Sequence, residues 1–428
     1  MELELWALWY LLQLRKTQWL RSEQLRKLQE RKLKAIVRHA YNNTDFYHRK
    51  FDLYGLKPEA IKTIEDLQKL PITTRTDIRN SYPDGIVARG TNLDGCIKRK
   101  TSGSTGTPMD VVFNKNDQAF RIAVYYRAMI ECGLRIADKL FTISSFGHKE
   151  EGKKWFQHLR LLRQKNVSPT NPLEHTIQTL IEYRPDVLYG PASYITLLSR
   201  IIKEKRIREL RPRLVFSHAE LLDSKDRNFI NSVFETQLFD TYGSVEFIRL
   251  AWECPQHAGY HIDADGYIVE FVEDGQNVSP GEKGEIVVTS LHGQAMPFLR
   301  YALGDVGIPL DEKCPCGRGL PLMKTIEGRA EDFIVLPNGW MVSPRSLTAM
   351  MNRVPGIAQY RIIQKTTNTI RVELIKGEGF SEKTLLQVIA GIKRILNAKV
   401  QVHVRIVDEM PKGQLGKTRT VISEVQDR

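Results

Sequence analysis

Two sets of residues in the sequence have the types and spacing to do chemistry. The first is the run Thr101-Ser102-Gly103-Ser104-Thr105-Gly106-Thr107-Pro108, followed at once by the strand-like Met109-Asp110-Val111-Val112-Phe113. Two glycines let the backbone bend closely around a ligand, and the hydroxyls of Ser102, Ser104, Thr105 and Thr107 can donate beside backbone N–H groups to phosphate oxygens. We read it as a phosphate-holding loop, with a solvated Gly/Ser/Thr linker as the plain alternative. It is not a Walker loop, because no Gly-Lys-Ser/Thr ends it, and it is not a dinucleotide fingerprint. The second set is Cys254 with His257 and His261, together with Cys314 and Cys316. Three thiolates and one histidine match a closed four-ligand Zn²⁺ site, and three reduced structural thiols are the reading without a metal. Four protein ligands leave no open position, so the role of such an ion would be structural.

Those residues need a scaffold, and the bulk numbers bound it. A chain of 428 residues holds more than one core, here expected as one large domain and one small one. With 42% hydrophobic and 26% charged residues the composition is that of a folded globular protein rather than a disordered one. The net charge of +13 raises nucleic acid or an anionic membrane as partners. Because the excess is spread along the chain without long basic runs, no nucleic acid is expected, and the field would favour anionic small substrates such as a nucleotide. Five cysteines do not make a disulfide scaffold, and Cys96 and Cys132 read as lone thiols. Glu2 and Glu4 stand where a secretory signal needs positive charge, and the apolar stretch from Leu3 to Leu14 falls short of the roughly 20 residues of a membrane span. The expectation is a cytoplasmic protein without a transmembrane segment.

The periodicities supply the positioning elements. Residues 1–45 form an amphipathic helical extension: Trp6, Trp9 and Tyr10 come first, then Leu25, Leu28, Ile36, Val37 and Ala40 recur at helical spacing among many Lys and Arg. The Trp-rich tip would either pack on the body of the protein or make an interfacial membrane or partner contact. After the loop, β-rich runs at Lys139–Phe146, Val187–Gly190, Arg213–Ala219 and Gln237–Tyr242 alternate with helices His175–Tyr183 and Ser193–Glu204, which argues for a layered α/β core. From Tyr267 the pattern turns to strands, Tyr267–Glu273 and Glu285–Leu291, bounded by Asp-Gly turns, as in an antiparallel β subdomain. The last hundred residues read as a small α+β unit. It starts with a hairpin around Pro337-Asn338-Gly339, and a helix near Glu382–Leu396 separates alternating strands at Ile370–Leu374 and Val402–Ile406. The fold class is therefore α/β, with a large domain at 1–327 and a small C-terminal lid at 328–428.

Taken together, the sequence resembles the adenylate-forming ligase superfamily in its phenylacetate-CoA ligase-like branch, over nearly the whole chain. The loop at Thr101–Gly106 is similar to the family's phosphate motif. Tyr242-Gly243-Ser244-Val245-Glu246, Arg300-Tyr301-Ala302-Leu303-Gly304-Asp305, Gly328-Arg329-Ala330-Glu331-Asp332 and Gly416-Lys417 follow in the family's order, and Leu67-Gln68-Lys69-Leu70-Pro71-Ile72-Thr73-Thr74 also looks like this branch. The resemblance implies activation of a carboxylic acid by ATP as an acyl-adenylate, with pyrophosphate release, and transfer of the acyl group to coenzyme A. Transfer of the acyl group or of AMP to a non-CoA acceptor, such as a carrier protein, an amine or a hydroxyl, stays open.

The same resemblance implies the site residues. Lys417 would reach the α-phosphate and carboxylate during adenylation, and Glu246 would help hold Mg²⁺, a hard ion that prefers oxygen. ATP or AMP would be bound by Thr101, Ser102, Gly103, Ser104, Thr105 and Gly106, and further by Ala219, Glu220, Asp240, Tyr242, Gly243, Ser244, Asp305 and Arg329. Within that set Tyr242 would flank the adenine and Asp305 would accept both ribose hydroxyls. Some members of the branch carry a zinc site, and His261, after Gly-Tyr, fits their pattern better than His257, giving Cys254, His261, Cys314 and Cys316 as ligands. Two positions depart from the family: Glu331-Asp332 stands at the hinge where an aspartate pair is commoner, and Leu303 replaces a usual Thr. The acid itself is not legible beyond an aryl expectation, with walls from Ser144-Ser145-Phe146-Gly147 and Tyr189-Gly190-Pro191-Ala192. The oligomeric state is open, a homodimer included.

Overall fold

The computed structural model describes residues 2–101, 109–144, 161–169, 171–329, 332–337, 341–342, 344–351, 353–396, 400–410 and 420–425. They fall into two compact units, residues 1–135 with 239–325, and residues 136–238 with 326–428. The second division falls at Thr325 and Ile326, and it gathers the C-terminal hundred residues with 136–238. Among the described residues no helix is long and apolar enough to cross a membrane.

The first unit begins with three helices, Glu2–Thr17, Ser22–Asn43 and Asp45–Leu53. Helix Ser22–Asn43 buries Leu25, Gln29, Leu33, Ile36, Val37 and Ala40, the three-and-four spacing of one amphipathic face. Helix Glu2–Thr17 packs along helix Lys115–Glu131, which starts at a reciprocal cap between Asn114 and Asp117. Strands Tyr267–Glu273, Gly284–Ser290 and Tyr301–Leu310 pair antiparallel in sequence order. Further along, the strand starting at Leu322 pairs with Tyr260–Ile262, which pairs with Ala251–Glu253, which pairs in turn with Thr241 and Tyr242.

A buried ionic centre joins these parts. Arg127, wholly buried, donates to both oxygens of Asp265 at 2.6 and 3.0 Å and to Asp263. Asp263 also accepts from Arg249 Nε and Trp252 Nε1, each at 2.9 Å, and the Thr17 hydroxyl donates to Asp265 at 2.5 Å. Charges so deeply buried persist only because each is paired and hydrogen-bonded.

In the second unit, strands Lys139–Ile143, Arg163–Val167, Val187–Pro191 and Leu214–His218 run parallel, in the order Arg163–Val167, Lys139–Ile143, Val187–Pro191, Leu214–His218. Phe141, Ile143, Leu188 and Val215 of this sheet meet Ile195, Leu198 and Ile230 of the helices Ala192–Glu204 and Ser224–Phe234. Strand Arg163–Val167 is absent from the sequence expectation for a physical reason. It lies at the sheet edge and reads Arg-Gln-Lys-Asn-Val, with Val167 its only buried residue, so it carries no apolar signal. The C-terminal part is a four-stranded sheet, Gln401–Ile406, Thr369–Lys376, Ile357–Thr366 and Val421–Ser423, backed by helices Pro344–Met351 and Glu382–Leu396 around a core of Ile362, Val372, Leu374, Val388 and Ile392. The expected hairpin appears as Ile334–Val335 paired with Met341–Val342, while Asn338 and Gly339 lie outside the described residues.

Candidate functional site

The run expected to hold phosphate is flanked by a defined pair of strands. Strands Ile97–Lys100 and Asp110–Phe113 pair antiparallel with Lys100 opposite Asp110. Buried Thr101 closes the neck: its N–H donates to the Met109 carbonyl at 2.9 Å, and its hydroxyl oxygen accepts from the Met109 N–H at 3.0 Å. Ser102, Gly103, Ser104, Thr105 and Gly106 lie outside the described residues, as do Ser145-Phe146-Gly147 and Lys417.

Tyr242 ends the strand Leu238–Tyr242, and its hydroxyl donates to Asp305 Oδ2 at 2.7 Å. A tight turn follows. A Cβ on Gly243 would come within 2.2 Å of the Ile248 carbonyl oxygen, so only glycine fits there. The turn delivers Glu246 to a buried position where Oε1 accepts from the Tyr301 hydroxyl at 3.0 Å, with Arg75 Nη2 at 3.6 Å. Burial, reinforced by the Glu246 charge, holds the Tyr301 hydroxyl protonated well above its ordinary range, which keeps it a donor. Arg121, stacked 3.7 Å over Phe113, donates to the carbonyls of Val245 and Glu246 at 3.0 and 2.8 Å and so fixes the turn from beneath. Burial lowers Arg121 to about 10, which still leaves it charged near neutrality. Ser244 Oγ is buried and has no hydrogen-bond partner among the described residues, a donor and acceptor left for a ligand or water.

Asp240 is buried too, but its Oδ2 accepts the Tyr260 hydroxyl at 2.7 Å and its N–H donates to Glu253 at 2.7 Å. In the second unit Ala219 takes a left-handed conformation, φ 66°, directly after strand Leu214–His218. That turn places Glu220 Oε2 on the Ser193 N–H at 2.8 Å, at the start of helix Ala192–Glu204, while His218 stacks on Tyr189 with ring centroids 4.4 Å apart. Arg329 ends the strand Leu322–Arg329.

Arg75, Arg121 and Tyr301 were not singled out from sequence as site residues. Tyr301 lies inside a quoted motif and Arg75 follows the Thr73-Thr74 stretch, so position was the available signal. Docking explains Arg75: the Thr73 N–H donates to the Arg300 carbonyl at 2.7 Å, the Ala302 N–H returns to Thr73 O at 2.9 Å, and Arg75 then reaches Glu246.

The cysteine and histidine set does converge. The ligand atoms of Cys254, His261, Cys314 and Cys316 all lie within 4.8 Å of one another, with Cys254 Sγ to Cys314 Sγ at 3.5 Å and Cys316 Sγ to His261 Nε2 at 3.3 Å. The three cysteines are free thiols. A tetrahedral ion with bonds of roughly 2.0–2.3 Å separates its ligands by about 3.5–3.8 Å, so the residues fit a metal ion. His257 is elsewhere, stacked on Phe239 at 5.2 Å with Nδ1 3.5 Å from Glu253. The short Cys-X-Cys spacing works because Gly317, at φ 84°, turns the chain back, its N–H bonding the Cys314 carbonyl at 3.1 Å. Next to the cluster, Arg318 pairs with Glu131 at 2.6 Å, donates to Gln18 at 3.1 Å and stacks over Trp19 and Trp252.

With this geometry in view, the relatives can be placed beside it. The family model described as CapK C-terminal domain matches residues 334–424. A phenylacetate-coenzyme A ligase of Thermus thermophilus is 28% identical over 365 residues, 83% of this chain and 82% of that protein. Protein CapK of Staphylococcus aureus is 23% identical over 411 residues, 93% of this chain and 89% of that one. Among solved structures, a 2-hydroxyisobutyryl-CoA ligase in the postadenylation state, in complex with R3-HIB-AMP, superposes with a TM-score of 0.80 at 20% identity, covering 96% of this chain and 91% of that chain. The α/β fold with a small C-terminal α+β part is thus shared with it.

Proposed function

We propose that this chain, a member of the adenylate-forming, phenylacetate-CoA ligase-like family, joins a carboxylic acid, of aryl type, to coenzyme A at the expense of ATP. In the first half-reaction a carboxylate oxygen bonds to the α-phosphorus of ATP and the bond to pyrophosphate breaks. In the second, the thiol sulfur attacks the acyl carbon, AMP leaves and the thiol proton is released to solvent. An anion approaching an anion requires fixed positive groups and donors around the phosphates. Lys417 is assigned to the α-phosphate, and the loop at Thr101–Gly106 to the departing pyrophosphate. Ala219, Glu220, Gly243, Ser244 and Arg329 complete the nucleotide set. The carrying observation is the Tyr242–Asp305 hydrogen bond of 2.7 Å, which orients a carboxylate for a ribose diol beside the motif that ends in Glu246. Asp240, held by Tyr260, would position this segment rather than touch nucleotide.

Glu246 would hold Mg²⁺, which when bound would neutralise phosphate charge, and Tyr301 and Arg75 set the direction of that carboxylate. The four-ligand cluster would take Zn²⁺ in a structural role, since His261, Cys254 and Cys314 are buried. The C-terminal lid at 328–428, pivoting near Glu331-Asp332, and a cytoplasmic location belong to the same reading.

The test is pyrophosphate release from ATP over a panel of carboxylic acids, with and without coenzyme A. Acid-dependent release together with a CoA thioester product is expected; no acid-dependent release from any acid, and no ATP–pyrophosphate exchange, would overturn the reading. A second reading is a biosynthetic acceptor other than CoA. Adenylate formation that CoA does not discharge would support it.

A further inference from the structure

Six of the twelve large apolar side chains exposed among the described residues lie in the first nineteen positions: Leu5, Trp6, Leu8, Trp9, Leu12 and Trp19, from 37% to 61% exposed. Helix Glu2–Thr17 already has a packed face, with Ala7 and Leu14 buried and Tyr10 bonded to Asn116 at 2.8 Å and edge-on to Phe120. The opposite face carries Leu5, Leu8, Trp9 and Leu12 at helical spacing, and Trp19 extends it beyond the last turn. Exposed Lys16 falls on the same stripe, four residues after Leu12, with exposed Arg15 beside it and Arg21 just past Trp19. Arg15 is engaged by Glu131 at 2.9 Å. Acid is confined to the first turn, where Glu2 lies 3.9 Å from Lys115.

The three tryptophans and three leucines, each about half exposed, together expose on the order of 600 Å², for full side-chain areas of roughly 200 Å² each. That lies at the lower edge of the roughly 600–1,000 Å² a side of a stable protein interface, so shape and charge decide the partner. The shape is a narrow stripe along a helix about 24 Å long, with tryptophans along it and cations at one end. Tryptophan and arginine or lysine are the side chains that settle at a bilayer surface, the ring at headgroup depth and the cation on anionic headgroups.

We propose that helix Glu2–Thr17 with Trp19 is a docking face for an anionic lipid surface. The helix lies in the interface plane, with Lys16 and Arg21 facing the headgroups and the body of the protein on the water side. Full-length protein sedimented with vesicles of phosphatidylcholine mixed with phosphatidylglycerol should bind, and should bind weakly to phosphatidylcholine alone. Added salt should weaken the binding. Lys16→Glu with Arg21→Glu should lower partitioning by about 25-fold or more, about fivefold for each charge neutralised. Trp9→Ser with Leu12→Ser should lower it on both vesicle types, with unchanged circular dichroism. Brominated lipid should quench the tryptophan emission of the unaltered protein, which reads the face without any substitution. Protein that stays in the supernatant with anionic vesicles, or shows no quenching, overturns the proposal. So does a dimer that Trp9→Ser with Leu12→Ser converts to monomer, because the stripe would then be covered by a second copy. None of these readouts depends on ATP or an acid.

Discussion

One hydroxyl carries much of the proposed nucleotide geometry. Removing it in Tyr242→Phe deletes a hydrogen bond to a carboxylate, an interaction of about 1.5–3 kcal/mol. The KM for ATP should rise about tenfold or more with little change in kcat, as measured by steady-state pyrophosphate release. Lys417→Ala should reduce acyl-adenylate formation by at least about 10²-fold while sparing thioester formation from preformed adenylate. Normal ATP–pyrophosphate exchange in that variant would remove Lys417 from the role. Residues of distinctive chemistry were legible in the sequence: type singled out Cys254, Cys314, Cys316 and two histidines, the resemblance favoured His261, and the ligand atoms of Cys254, His261, Cys314 and Cys316 lie together. Arg75 and Tyr301 were not, because an arginine or tyrosine gains meaning only when folding brings it to Glu246, and no local pattern announces that.

Elements read from sequence are those whose periodicity burial enforces. Helix Glu382–Leu396 and strand Tyr267–Glu273 stand at their expected bounds, because Val388, Ile392 and Leu396 share one helical face and the strand is buried along most of its length. The polar edge strand Arg163–Val167 has no such constraint and left no signal. Two elements carry predictions. Zinc should be found by metal analysis of the purified protein, and Cys316→Ser should lower both metal content and the thermal midpoint, because the cluster shapes the turn that holds Arg318. The ionic centre on helix Lys115–Glu131 should be stricter. Arg127→Leu leaves Asp263 and Asp265 without their common partner and should cost about 3–5 kcal/mol by urea unfolding, only partly recovered in Arg127→Lys. Burial pushes the Asp265 carboxyl up, but Arg127 more than offsets it and holds it below its ordinary range. The sign follows: this contribution is full above the unfolded value of about 4 and is lost as pH falls through the lower folded value.

The whole molecule divides into two compact units. The α/β core and α+β C-terminal part were legible from alternation, but the gathering of 326–428 with 136–238 was not. It depends on contacts such as Arg200 donating to the Ala358 carbonyl, between segments far apart in sequence. The same remoteness governs helix Glu2–Thr17 and the turn after it. Thr17 finds Asp265, the Gln18 side chain bonds Arg318 some 300 positions later, and the Gln18 carbonyl accepts from Gly319, where any side chain would strike Leu20. At ribosomal speeds of roughly 5–20 residues per second, this helix would wait about 15–60 s for those partners. Until those partners emerge, then, the nascent chain must keep this helix from sticking to others, and a ribosome stalled before Arg318 should release a product that aggregates or is cleared by proteases.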